Sequence, residues 1–320
     1  MLPTELVETL VDSGVFSLFT PREVGGEETS LTTALRIYEE LARIDGSTGW
    51  RAWHANFGWT AAFLNDSAVD RIWADGATQP VLAGSRRRGR AVRVDGGYLV
   101  SGHWERVSGL NSAEWFLCPA WMCDGTPGGG REIRLCHVDV DLITIADPSR
   151  SPGLRGSDSA SASLVDVFVP ADLALDITGR ARIDRPLYRI PGLSLVFPGR
   201  TAVLLGIARA AIDEIVASVA HRADATTAIR RAGSTLRAAR LSLLSAADEL
   251  DALAAAGQSI SRRHRAALRR STSRAAEVGR QVLRSTYGLC GSSSAGLGSR
   301  MERILRDGMT VGRVGPDPVR

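Results

Sequence analysis

Between about residues 82 and 178 the chain leaves helical periodicity for period-2 alternation, then returns to helical pattern until its end. That switch constrains the fold more than any single motif. Alternating or β-rich runs stand at Ala91 to Val94, Tyr98 to Trp104, Trp115 to Trp121, Glu132 to Val138 and Ser163 to Val169. Turn signals separate them, among them Asp95-Gly96-Gly97, Ser108-Gly109 and Asp124-Gly125-Thr126-Pro127-Gly128. Several short strands with no helices between them predict a small barrel or an open sandwich.

The flanks are helical. Leu6, Leu10 and Val11 share one face, and Thr32 to Ile44 carries Leu35, Tyr38 and Leu41-Ala42 on another. Gly14 to Gly26 holds Phe19-Thr20-Pro21 and Gly25-Gly26 and reads as a loop. After about residue 192, three apolar stripes follow in turn: Leu204 to Val219, Leu236 to Ala254 and Leu268 to Leu283. With no proline from Thr201 to Gly315, they predict long antiparallel helices joined near Ala223-Asp224 and Gly257-Gln258. The expected organisation is a helical N-terminal domain over 1–81, a β-domain over 82–190 and a helical bundle over 191–320.

Composition removes several function classes. No uninterrupted apolar run approaches the roughly 18 residues that span a bilayer, and Met1-Leu2-Pro3-Thr4-Glu5 lacks the layout of a signal peptide. A cytoplasmic location away from membranes is expected. All basic residues are arginine, and the net charge is only +4. Arg86-Arg87-Arg88 and the arginines from Arg262 to Arg270 read as a solvated loop and helix face, so no nucleic-acid partner is expected. Cys118, Cys123, Cys136 and Cys290 form no C-x-x-C pair and have no histidine at zinc-ligand spacing. They are expected to be free thiols used in packing, with no metal site. There is no G-x-G-x-x-G between a strand and a helix, and no lysine for a phosphate-binding loop. A nicotinamide domain of its own is therefore not expected.

Four segments carry a resemblance. Asp12-Ser13-Gly14-Val15-Phe16 to Gly25-Gly26, continued by Glu39-Glu40-Leu41-Ala42 and Asp45 to Trp50, is similar to the N-terminal domain of the acyl-CoA dehydrogenase fold. Gly96-Gly97-Tyr98 through Trp104 to Ser108-Gly109 resembles its central β-domain. Gly153-Leu154-Arg155-Gly156-Ser157-Asp158-Ser159 resembles a G-L-R-G-T-G-S signature, with Asp158 in place of the second glycine. Gly288 to Ser294, followed by Arg303 to Asp307, resembles a glycine-rich loop and an R-x-x-R-D helix. The likeness is greatest to the two-component flavin-dependent monooxygenases, and it covers nearly the whole chain, beginning one helix later than is usual.

This resemblance implies a mainly α protein with a central β-barrel and a C-terminal four-helix bundle. It implies reduced FMN or FAD delivered by a separate flavin reductase, O2 as co-substrate, a small aromatic or polyketide-like substrate, and a homotetramer or dimer. Ser108 is the position that lies near flavin N5, and Trp104, Arg106 and Gly109 belong to the same flavin-facing segment. Gly291 and Ser292 stand in the loop that helps build a flavin site across a subunit contact. Glycine and serine there let backbone N–H groups approach an anion. Trp50 and His54 are four apart, hence on one helix face. With Trp59 they suggest an apolar substrate pocket in which His54 acts as acid or base. They read equally as core aromatics with a satisfied histidine.

Two positions depart from the monooxygenase pattern. Arg106 stands where an aromatic residue is favoured, and no histidine follows Asp307. Arg106 or Arg313 is expected to face the flavin ring or phosphate and to supply the missing positive charge. No carboxylate follows Arg306-Asp307 where a dehydrogenase places its base. A flavin dehydrogenase or oxidase, and a flavin-free binding or cyclising protein on the same scaffold, remain the other two readings.

Overall fold

A computed structural model describes residues 2–73, 79–123, 132–146, 151–219, 223–290, 296 and 298–313. Helices α1 (Thr4–Asp12), α2 (Leu31–Ile44), α3 (Gly46–Ala55) and α4 (Asp66–Trp73) precede the strands. α2 starts where the Ser30 hydroxyl accepts the Thr33 N–H, and it buries Leu31, Ala34, Leu35, Tyr38 and Ala42 along one face. The Gly14 to Gly26 loop contains one short 3-10 turn, Arg22–Val24.

The strands are β1 (Leu82–Gly84), β2 (Gly89–Val94), β3 (Gly97–Ser108), β4 (Trp115–Cys123), β5 (Ile133–Asp139), β6 (Thr144–Ala146), β7 (Ser159–Pro170) and β8 (Ala174–Leu175). All five runs expected from alternation are present. β1, β6 and β8 span two or three residues, too few to show a period. One sheet results, in the order β6-β7-β3-β2-β4-β5-β8, with β1 beside β4. β4 runs parallel to β1 and β2; the other pairings are antiparallel.

Two bulges interrupt the long β3–β7 ladder. Trp104 faces Ala162 and Val107 faces Ala160, so Glu105 and Arg106 together oppose one residue. Arg106 has φ 57. On β7 the extra residues are Val165 and Asp166, and Asp166 (φ 49) exchanges hydrogen bonds with the Ser101 hydroxyl at 2.8 and 2.9 Å. The expected β3 run stops at its bulge, at Trp104, because alternation breaks there; the expected β7 run passes through its bulge and begins late, at Ser163.

Helices α5 (Pro186–Arg189), α6 (Gly192–Val219), α7 (Ala223–Ala255), α8 (Arg262–Leu289) and α9 (Arg300–Arg313) complete the chain. α8 opens with a capping box between Ser261 and His264. One expectation is corrected here. Gly192–Val216 is long and apolar enough to cross a membrane, with mean hydropathy 1.5, although its arginines break it into shorter apolar runs. Of its most apolar window, 72% is buried, because α6 packs against α2, α7, α8 and α9. Burial among helices accounts for its apolarity.

Contacts divide the chain into two compact units whose segments alternate. The first comprises Met1–Thr29, His54–Arg150 and Ser157–Tyr188, and contains the sheet; the second comprises Ser30–Trp53, Ser151–Gly156 and Arg189–Arg320. The boundary therefore falls inside α3.

In the second unit, Gly206 of α6 lies so close to α2 that a Cβ would sit 2.1 Å from the Glu39 carbonyl oxygen. Beside this contact the Glu39 carboxylate is buried, 1% exposed. It accepts hydrogen bonds from Arg209 at 2.8 Å and from Arg240 Nε at 2.7 and 2.8 Å. Arg209 also pairs with Glu40, whose carboxyl is held below its usual range chiefly by that bond. One charged group thus ties α2 to α6 and α7. Replacing Glu39→Ala would leave two arginines with no buried partner. Each keeps about a quarter of its side chain in solvent, so the expected loss is about 2–3 kcal/mol, at the low end for a broken buried pair. A urea unfolding midpoint unchanged from wild type would contradict this.

Candidate active site

The first unit gathers several expected site residues around the end of β3. Ser108 is the last residue of the strand and is buried. Its partner across the ladder is Ser159, and the two hydroxyls lie 3.0 Å apart. Ser159 in turn meets the Ser157 hydroxyl at 2.8 Å. Gly109 follows with φ 78, a left-handed turn that glycine adopts without strain. Its N–H is shared between the carbonyls of Ser157 (3.0 Å) and Asp158 (2.8 Å). Asp158 has φ 53. This is the left-handed region that glycine adopts without strain. Its carboxylate accepts from Asn111 Nδ2 at 2.7 Å and from the Ser112 hydroxyl at 3.3 Å.

Trp104 points into the sheet's core. Its side chain is fully buried, stacks edge-on against Phe116 at 5.3 Å and donates Nε1–H to the Arg87 carbonyl at 2.8 Å. Gly89 and Gly102 make room for the indole; a Cβ at either would lie 2.6 Å from its ring. The ring is thus occupied in packing. Arg106 is exposed on the bulge.

A second cluster in this unit comes from the end of α3 and the segment after it. His54 is half-buried, with Phe57 edge-on at 6.3 Å. Trp59 lies in the 3-10 turn Gly58–Ala62, buried and edge-on to Phe63 at 5.5 Å. Its Nε1–H has no hydrogen-bond partner among the described residues. Beneath this turn lies His137 of β5, which sequence reasoning missed. His137 Nδ1 is 3.2 Å from the Leu173 carbonyl, and Nε2 is 3.0 Å from the Thr60 hydroxyl. A carbonyl only accepts, so Nδ1 carries the proton; the Thr60 hydroxyl, which also lies 3.0 Å from the Phe57 carbonyl, has its one proton shared between that oxygen and Nε2. Burial pushes the His137 pKa down to about 4. A lone histidine in an alternating strand gives no sequence signal of this role.

Trp50 and Arg313 belong to the second unit. Trp50 is buried, edge-on to Trp53 at 4.8 Å. Trp53 donates Nε1–H to the Val196 carbonyl at 2.8 Å, and Gly199 leaves space for its ring. Trp50 and His54 do fall on one helix, but the contact boundary lies between them. Arg313 is exposed at the end of α9. Within this unit the Asp307 carboxylate accepts the Leu154 N–H at 2.6 Å, and Gly153 approaches α9 so closely that a Cβ would lie 2.2 Å from the Arg306 carbonyl oxygen. Burial raises the Asp307 pKa, and the nearby Asp45 carboxylate adds to this. The two sequence signatures, G-L-R-G and R-D, are therefore in direct contact. Gly291 and Ser292 lie outside the described residues. The four cysteines are free; Cys118 and Cys136 are cross-strand neighbours, and burial pushes the Cys136 thiol up to about 12. Among the described residues no cluster of histidine, cysteine or carboxylate suits a metal.

Residues 1–66 match the model of the acyl-CoA dehydrogenase N-terminal domain, and residues 199–313 match that of the C-terminal domain. The chain belongs to the acyl-CoA dehydrogenase family. Within that family it stands on the branch of the flavin-dependent monooxygenases, which makes it an oxidoreductase. It is 29% identical over 304 residues to the flavin-dependent monooxygenase oxygenase subunit HsaA of Mycobacterium tuberculosis, an alignment covering 88% of this chain and 76% of that protein. It is 27% identical over 259 residues to a pigment production hydroxylase of a Rhodococcus species, covering 78% of this chain and 66% of that one. The crystal structure of the M. tuberculosis HsaA monooxygenase superposes with a TM-score of 0.90 at 27% identity, over 98% of this chain and 87% of that one.

The buried His137 of this family member makes a pH prediction. The folded state refuses a proton until about pH 4, whereas the unfolded chain takes one up near 6.5. The His137 contribution to stability is therefore complete above about pH 6.5 and falls as the pH drops through that window. The loss between pH 7 and pH 5 is expected to be about 2 kcal/mol. His137→Gln, which does not titrate, should lose less stability over the same interval when urea midpoints are compared. Equal losses for the two proteins would show that His137 is protonated in the folded state.

Proposed function

We propose that the protein uses reduced FMN or FAD, supplied by a separate flavin reductase, together with O2 to oxygenate a small aromatic or polyketide-like molecule. The observation that carries this is the Ser108 corner: a buried hydroxyl held at a strand end, next to a left-handed glycine, in a chain of the flavin-dependent monooxygenase branch. The donor set fits an isoalloxazine. The Ser108 hydroxyl and the unpartnered Trp59 indole N–H are both uncharged donors in the same unit. They suit ring nitrogens and carbonyl oxygens, and a buried N–H left without a partner costs about 1–3 kcal/mol.

Bound reduced flavin supplies the activation of O2; the chain's own residues do the rest. Ser108 donates to the flavin at N5, and Gly109 lets the backbone turn there. Trp104 acts through packing, fixing the strand on which Ser108 sits. Arg106 or Arg313 would present a fixed positive charge toward the ring or phosphate, and Gly291 and Ser292 would contribute backbone donors to the flavin. His54 and Trp59 would line the substrate pocket, with the His54 imidazole moving the substrate proton; Trp50, expected there from its helical spacing, is buried against Trp53 in the second unit.

A cytoplasmic homotetramer or dimer is the expected form, divided along the chain near residues 81 and 190. Light scattering at micromolar protein should give twice or four times the 34.2 kDa chain mass; a monomer would count against assembly.

The central test is fluorescence titration with FMN and FAD, followed by oxygen uptake with reduced flavin. Ser108→Ala removes one hydrogen bond worth about 1–2 kcal/mol, so H2O2 should appear roughly tenfold faster after mixing with reduced flavin and O2. Arg106→Ala should weaken flavin binding in the same titration. An unchanged H2O2 rate removes Ser108 from the mechanism, and a wild-type protein without flavin affinity removes the oxygenase reading.

A further inference from the structure

Arg86-Arg87-Arg88 has the composition of a solvated loop, yet its backbone is held at three points. The Ser85 N–H donates to the Leu117 carbonyl at 2.9 Å, and the Arg87 N–H donates to the Ser85 hydroxyl at 3.2 Å. The Arg87 carbonyl accepts the Trp104 indole N–H at 2.8 Å. The side chain of Arg87 faces Glu105 at 3.6 Å. Arg88 lies over the Trp121 ring, 4.6 Å from its centroid. A guanidinium held flat on an indole keeps its N–H groups at its edges, where they can grip an oxyanion in pairs.

These groups share a sheet face with Ser108. Gly89 lies against the Trp104 indole and Ala91 is fully buried, so Arg90, between them, projects to the opposite face. Arg90 is exposed and pairs with Ser101 on β3 and with Trp121 on β4. On β7, Ala160 and Ala162 are buried opposite Val107 and Trp104, which sets Ser159, Ser161 and Ser163 on the side of Arg90. Ser108 pairs with Ser159 and so lies on that side too. Arg88 is nearer than Arg90 to the Ser108 end of β3, because β2 and β3 run antiparallel. At about 3.3 Å per residue it stands about 15 Å from Ser108. Asp166 accepts the Ser101 hydroxyl at 2.8 Å. Among the described residues no carboxylate lies within ion-pair distance of Arg88 or Arg90. All of these residues lie within the first unit.

We propose that Arg88, braced by Trp121, and Arg90 bind an oxyanion, carboxylate or phosphate, on a ligand seated against the Ser108 face. The oxyanion is carried by the substrate or by the flavin phosphate. This rests on the reading that the Ser108 face receives flavin and substrate, and it adds to that reading a requirement for an acidic ligand.

The test is calorimetric titration at low salt with two matched pairs of probes. Benzoate is charged and benzyl alcohol is its neutral counterpart; FMN carries a phosphate that riboflavin lacks. Wild type is compared with Arg88→Gln, Arg90→Gln, the double variant, Arg88→Lys and Arg269→Gln. Arg88 and Arg90 are exposed, so these substitutions leave the fold intact. Arg269 is exposed on α8 in the second unit, and its loss removes the same charge elsewhere. The charged member of one pair should bind wild type more tightly than its neutral counterpart, and each glutamine variant should weaken it about three- to tenfold. Arg88→Lys keeps the charge without the paired N–H groups and should recover only part of the affinity. A preference for benzoate assigns the anion to the substrate, and a preference for FMN assigns it to the flavin. The proposal is overturned if charged and neutral members bind alike in both pairs, if the double variant keeps the wild-type preference, or if Arg269→Gln lowers it equally. A protein that binds neither flavin but prefers benzoate through Arg88 and Arg90 keeps the anion site and removes the oxygenase reading. Flavin binding with no anion preference does the reverse.

Discussion

The N–H of Gly109 extends the β3–β7 ladder by one tie beyond its last pair, Ser108 and Ser159. It is shared between the carbonyls of Ser157 and Asp158, and it can reach both only because Gly109 and Asp158 adopt left-handed conformations. At the same corner stand the Ser108–Ser159 pair and the row of three hydroxyls. The β3 bulge one turn upstream sets the other limit. With two residues opposing one, Trp104 goes into the core and Glu105 and Arg106 go to solvent before the strand returns to Val107 and Ser108. Without the bulge, strict alternation would set Arg106 on the same face as Trp104.

Stability and chemistry are kept apart in the polar groups. Glu39 with Arg209 and Arg240, and Asp251 accepting the N–H groups of Leu31 and Thr32 at 3.0 and 2.9 Å, fasten α2 within the helical unit. His137 and Thr60 fasten the 3-10 turn that carries Trp59. These groups are spent on each other. The Trp59 indole N–H is different: it is buried with no partner among the described residues.

Much of the fold was legible because periodicity reports which face is buried. The five longer strands, α1, α2 and the apolar stripes of α6 to α8 all follow from spacing. α6 shows where such reading fails. Its arginines divide an apolar helix into short runs, so its length appeared only once the helix was whole. Among site residues, Ser108 and Gly109 were readable from a strand followed by a turn signal, whereas His137, Ser157 and Ser159 were not. Their roles depend on partners 77, 2 and 51 residues distant in the chain.

The sequence by itself determined the order of elements, the segment that forms the sheet and the family signatures, since each is written in local spacing or in residue type. Only the tertiary structure decided what those signatures do. It brought the G-L-R-G loop onto α9, where Asp307 accepts the Leu154 N–H. It gave Asp158 a glycine's backbone and a carboxylate's contacts, and it enclosed Trp104 while leaving Arg106 outside. A backbone dihedral at a bulge or a corner is fixed by hydrogen bonds from strands distant in sequence, and no local pattern records them.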